Sequence, residues 1–122
     1  MIIGVHAIVF SRDADGVRGF FRDVLGFSSV DAGEGWSIFA LPPAELAAHP
    51  TEGDTAHELY LMCDDIETTV EELRGRGVEF AGPVTDEGWG LLTSIQLPGG
   101  ALMGLYQPRH PTALQGQAPT PP

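Results

Sequence analysis

The sequence predicts an α+β domain built from two β-α-β-β-β units in tandem, and three observations carry that expectation. Two amphipathic helical stripes open at Asp13 and Asp65, an offset of 52, and a strand-like run precedes each. Three short apolar-aromatic runs, broken by Gly and Pro, follow each helix. The 122 residues leave room for one core of ordinary size, and a hydrophobic content of 43% is enough to fill it.

The first strand covers residues 3–10. Alternation puts His6, Ile8 and Phe10 on one face and Val5, Ala7 and Val9 on the other. The second set is small or branched and suits the surface under the helices, so His6 and Phe10 should look away from them. The first helix covers residues 13–25, where Val17, Phe20, Phe21, Val24 and Leu25 make one apolar stripe. Asp13 or Asp15 can cap its start, and Gly26 supplies the left-handed residue that ends it. Runs at 27–31, 36–41 and 44–49 complete the first unit.

The second unit opens with a strand at 57–63. Its helix covers 65–76, with Ile66, Val70 and Leu73 on one face and Glu67, Glu71 and Glu72 outside. Asp64 and Glu67 have capping-box spacing, and Gly77 closes the helix. Strands at 78–81, 89–97 and 101–106 follow. The segment from Trp36 to Leu41-Pro42 corresponds to that from Trp89 to Leu97-Pro98. Two helices cannot cover both faces of eight strands, so one face stays open as a groove or meets a second subunit. The domain is expected at 1–107, with units of about 1–50 and 56–107. The tail, 108–122, holds five of the ten prolines and is expected to be poorly ordered.

Composition narrows the functional classes. A net charge of −11 without a basic cluster argues against nucleic-acid binding. No apolar run approaches the ~20 residues of a membrane span, and no basic segment precedes Met1-Ile2-Ile3 to suggest a secretion signal. The lone Cys63 excludes an internal disulfide and fits a cytoplasmic location. It should be a buried thiol on the helix-facing side. No phosphate-binding Gly loop, nucleophile elbow or zinc-type Cys pair is visible. Trp36, Phe39, Tyr60, Trp89 and Met103 fall on strands that should line the groove or its rim. They read either as ordinary core or as walls for a planar or cationic organic ligand held by stacking and cation–π contact.

Residues Val5-His6-Ala7-Ile8-Val9-Phe10, Asp13, and the run Gly19-Phe20-Phe21-Arg22-Asp23-Val24-Leu25-Gly26-Phe27 resemble the first module of the vicinal oxygen chelate superfamily. That superfamily includes glyoxalase I, extradiol dioxygenases, and fosfomycin- and bleomycin-resistance proteins. Cys63-Asp64-Asp65, the run 71–78, and Leu97-Pro98-Gly99-Gly100-Ala101-Leu102-Met103-Gly104-Leu105 look like its second module. The resemblance spans residues 2–107 and implies a glyoxalase/bleomycin-resistance-like fold in which the two modules form curved mixed sheets around a cavity. Homodimerisation is the family's habit and would cover exposed sheet edges.

In metal-dependent members, the first and last strand of each module each supply one ligand to a divalent ion. Carried over, the first position is His6, which reads equally as a hydrogen-bonding cavity wall. The second is Glu45, or His49 at the same parity, and both also read as solvated. The third is Glu58, where the family most often has His. His57 is adjacent but of opposite parity, and Glu58 also reads as a hydrogen-bonding cavity group. The fourth falls on Gly104, which has no donor, and nothing acidic lies between Leu97 and Arg109.

Two functions follow from the resemblance. The first is a glyoxalase/bleomycin-resistance-type protein, conferring antibiotic resistance by binding a small, cationic or aromatic molecule, with a degraded metal site and no cofactor. His6, Phe10, Trp36, Phe39, Glu58, Tyr60, Trp89 and Met103 would then touch the ligand. The alternative is a metal-dependent lyase, isomerase or dioxygenase using Mn, Ni, Fe or Zn held by His6, Glu45 and Glu58. No catalytic residue is assignable.

Overall fold

The computed structural model describes residues 6–45, 47–54, 56–111 and 113. In chain order its elements are α1 (Ala14–Gly19), which continues as a wider π-helical turn over Phe20–Val24, then β1 (Ser29–Asp31), β2 (Ser37–Phe39) and β3 (Tyr60–Met62). These are followed by α2 (Ile66–Gly75), β4 (Glu79–Phe80), β5 (Thr85–Asp86), β6 (Gly90–Gln96) and β7 (Leu102–Pro108). The fold is α+β with mixed sheets, and the sheets do not close into a barrel. Among the described residues, no helix is long and apolar enough to cross a membrane.

The second unit folds as its pattern demands. Its strand order is β3-β7-β6-β4, with β5 added against β6. β3 lies parallel to β7 because α2 carries the chain across between them. The long β6–β7 ladder runs antiparallel from Gly90↔Pro108 to Gln96↔Leu102. Asp65 caps α2, its extended backbone letting the carboxylate accept from Thr68 N at 3.3 Å and Thr68 Oγ1 at 3.1 Å. The cap is therefore one residue later than the expected Asp64. Gly77 ends the turn at φ 86°, where a side chain would be strained.

Both helices share one core against one side of this sheet. Val17 and Phe20 meet Ile66, Val70 and Leu73, and all pack on Ile95, Leu97, Met103 and Leu105. Ile66 and Ile95 are wholly buried. The first helix is tied to the second unit by Ser11 Oγ donating to Pro98 O at 3.0 Å and by Arg76 Nη1 donating to Val24 O at 2.8 Å. Asp13 caps α1 by accepting from Gly16 N at 3.0 Å. Gly26, at φ 72°, ends it as expected.

The first unit departs from its pattern. Its described sheet is the hairpin β1–β2, in the register Val30↔Ile38. Residues 6–10 form no strand, and neither do the described residues of 44–49. Residues 3–5 and Leu46 lie outside the description. Three prolines, Pro42, Pro43 and Pro50, flank the second of these segments, and each removes a ladder donor. The strand at 85–86 was not expected. β7 runs on to Pro108, while most of the 108–122 tail lies outside the described residues.

Candidate functional site

The pleat of the second sheet sorts its side chains. Leu91, Thr93 and Ile95 of β6 sit opposite Gln107, Leu105 and Met103 of β7 on the helix side. Gln107 Oε1 there accepts from Ile66 N at 3.0 Å, which fixes the strand to the start of α2. The opposite face carries Tyr60 and Met62 of β3, Gly104 and Tyr106 of β7, and Leu92 and Ser94 of β6. Among the described residues no helix covers that face.

Aromatic rings run across it from strand to strand. Tyr60 meets Tyr106 edge to face at 5.8 Å, and Tyr106 meets Trp89 in the same way at 5.4 Å. Contacts of this geometry contribute about 0.5–1.5 kcal/mol each beyond burial. The His110 ring stacks on Tyr106 at 5.9 Å, and its Nε2 lies 3.4 Å from the Tyr106 hydroxyl. Each tyrosine occupies space beside a glycine of the neighbouring strand. A Cβ on Gly104 would overlap the Tyr60 ring, standing 2.5 Å from Cε1 and 3.0 Å from Cγ. One on Gly90 would stand 2.8 Å from Gln107 O and 3.2 Å from Tyr106 Cδ2. Aromatic rings laid over strand glycines restore the packing that glycine forfeits.

Carboxylates edge the face. Glu58 accepts a short hydrogen bond from the Tyr60 hydroxyl. That bond, followed by partial burial, pushes the Tyr60 phenol up to about 12. Burial also raises Tyr106, with the Glu45 carboxylate adding to the effect. Glu45 Oε2 accepts from Ala113 N at 2.7 Å. Beyond Trp89, Asp86 pairs with Arg109 at 2.8 Å and accepts from Gly88 N, which holds its carboxyl below the usual range.

The described donors of the face are not assembled as a metal centre would need. At Gly104, the position the resemblance implies for a fourth ligand, there is no donor side chain and the Tyr60 ring fills the volume above it. Glu58 Oε2 and Glu45 Oε2 are each engaged elsewhere, and His6 lies exposed in irregular chain. Among the described residues no three of His, Cys, Asp or Glu converge.

Not every expected residue reaches this surface. Glu58, Tyr60 and Trp89 gather there. Met103 does not: it is buried in the core on the helix side, because parity counted from Gly104 turns it away. Phe39 also faces the helices, meeting Phe21 edge to face at 5.5 Å. Trp36 is exposed in the first unit, with the Arg18 guanidinium 5.2 Å from its ring centre. Phe10 is 85% exposed while Val9 packs against the core, as expected, but Ala7, expected on the side of Val9, is exposed. Cys63 sits against the core as expected, and burial pushes its thiol up. Tyr106 and His110 were missed. Tyr106 was legible, being two residues beyond Gly104 and of the same parity. His110 lies past the last strand and had no signal.

One hollow, about 290 Å³, lies away from the aromatic face, between the π-helical turn and the β4–β6 edge around Phe20, Val24, Arg76 and Leu97. A second, about 260 Å³, lies on the first hairpin beside Val30 and Ile38.

Comparison with known proteins places this geometry. Residues 4–105 match the family model of the Glyoxalase/Bleomycin resistance protein/Dioxygenase superfamily. The crystal structure of TnmS3, an antibiotic binding protein from Streptomyces sp. CB03234, is 26% identical with a TM-score of 0.63, over 88% of this chain and 98% of that one. The structure of UcmS2 is 18% identical with a TM-score of 0.61, over 87% of this chain and 98% of that one. A lactoylglutathione lyase from Agrobacterium tumefaciens is 13% identical with a TM-score of 0.61, over 86% of this chain and 92% of that one. No curated protein matches the sequence.

Proposed function

Since the chain belongs to the glyoxalase/bleomycin resistance protein/dioxygenase superfamily, we propose that it binds a small, flat organic molecule on the open face of its second sheet, without a metal ion. The observation that carries this reading is the Tyr60–Tyr106–Trp89 series of rings on a face that no helix of the described residues covers. A planar ligand adds its own ring to such a series and buries apolar area against it. Glu58 and Glu45 at the edges favour a cationic ligand, and the chain's charge of −11 raises the local concentration of cations. TnmS3, described as an antibiotic binding protein, supports a ligand of antibiotic type.

The second wall of the site comes from a second copy of the chain. Val30, Trp36, Ile8 and Phe10 are apolar side chains of the first unit that the single chain leaves 65–85% exposed. Dimerisation would cover them and close the aromatic face into a cavity. Light scattering after gel filtration is expected to give twice the 13.0 kDa chain mass. The fit with a cytoplasmic binding protein rests on the single free thiol.

The test is a thermal-shift screen with planar and cationic antibiotics on chelator-treated protein. A ligand at 100 times its Kd contributes about 2.7 kcal/mol, a rise in Tm on the order of 10 °C. At least one such rise is expected. A flat response across the screen, or shifts that require added metal, would overturn the proposal.

A further inference from the structure

The order of β3 and β7 puts one residue in control of what the open face accepts. Tyr60 is paired with Gly104 across the parallel ladder. Its ring lies where any side chain at 104 would have to be, so ring and side chain exclude each other. The ring is held in that seat from two directions. The Glu58 carboxylate takes its hydroxyl, and the Tyr106 ring packs edge-on against it at 5.8 Å. It is nevertheless 39% exposed, so part of its surface is offered to a ligand. Trp89, at the far end of the series, has no seat of this kind on a paired glycine.

We propose that Tyr60, seated over Gly104 and positioned by Glu58, is the specificity-determining residue of this site, shutting position 104 to any side chain and presenting a ring to a planar cation in its place. This rests on the reading of the open face as the ligand site. Gly104 is required because it alone leaves room for the ring. Glu58 is a positioning residue, acting through the hydroxyl.

The experiment compares the wild-type chain with Tyr60→Leu, Gly104→Ala and the double variant, using two readouts. The first is the proton NOE between the Tyr60 ring and the Gly104 Hα, which needs no ligand. The second is the affinity for proflavine, a planar cation, in the presence of chelator. The wild type is expected to give the NOE and to bind the dye. Tyr60→Leu should weaken binding at least about tenfold, the loss of one cation–π and stacking partner. Gly104→Ala should weaken it as much by unseating the ring, and the double variant no further. Tyr60→Leu introduces no clash, so it carries the test if Gly104→Ala fails to fold.

A missing NOE in dye-binding protein would overturn the seating while leaving the binding site in place. An intact NOE in protein that binds no dye would overturn the functional reading and the selecting role with it. Wild-type affinity in either single variant would overturn the selecting role alone.

Discussion

The two halves of this chain carry the same sequence pattern and reach different ends. In the second, a strand, a helix and four returning strands close into one sheet whose helix side carries the core. In the first, the helix forms, caps and packs, but its described sheet stops at a three-residue hairpin. Local signals are alike in both: Asp caps at 13 and 65, glycines at 26 and 77 with positive φ. What differs is burial. The second half has α2 and α1 together on one sheet, whereas Val30 and Ile38 of the first have nothing above them. A pattern of alternation specifies which side chains share a face, but strands form only where that face is covered or paired.

Truncation of core side chains should separate the halves most sharply. Ile95→Ala, at a wholly buried site, is expected to cost about 2–5 kcal/mol by urea denaturation. Ile38→Ala, at a site 41% exposed, should cost under about 1 kcal/mol in the monomer. If it also weakens self-association in sedimentation, the uncovered hairpin is where the second copy sits. Equal costs at the two sites would break the comparison.

Next in size is Gly90→Ala, which drives a methyl to 2.8 Å from the Gln107 carbonyl oxygen. Overpacking of this kind costs about 1–3 kcal/mol. Gly75→Ala, a helical position with nothing nearby, should instead be neutral or mildly stabilising. The two caps give the control in which the halves should agree. Asp13→Ala and Asp65→Ala each remove a side-chain acceptor from a helix start and should each cost about 1 kcal/mol. A large difference would show that the helices are not equivalent after all.

The smallest effect is a matter of pH. The Tyr60 hydroxyl donates to Glu58, so its phenol is pushed up to about 12. The stability this bond supplies is full below pH 10, the ordinary tyrosine value. It is lost as pH rises from 10 through about 12, because the unfolded chain releases the proton first. Glu58→Ala should move the late phenolate absorbance transition back toward 10 and remove that dependence. An unchanged transition would refute the pairing.

Most of the fold was legible because helix stripes and caps are local. Both helices, the turn glycines and the three returning strands of the second half follow from spacing alone. That the described residues of the first strand and of the one near residue 45 form no ladder was not legible, since their alternation is as good as that of 57–63. Whether such a face is covered is not encoded in its own alternation. On the candidate face, Glu58, Tyr60 and Trp89 could be read from parity and residue type, and parity also sets Met103 on the other side of the sheet from Gly104. Phe39 was misplaced because the facing of a short hairpin depends on where Phe21 comes to rest. His110 could not be found from pattern, since its stacking on Tyr106 arises from chain that leaves the sheet.

Tryptophan fluorescence can show whether the second half's aromatic face takes a flat ligand without metal. The chain has two tryptophans, Trp36 in the first half and Trp89 in the second. Proflavine titrated into chelator-treated Trp36→Phe protein reports on Trp89 alone, and the reciprocal Trp89→Phe protein reports on Trp36. The account predicts saturable quenching of Trp89 that is unaltered by added Zn²⁺ or Mn²⁺. Quenching confined to Trp36, or a Trp89 response that appears only with metal, would contradict it.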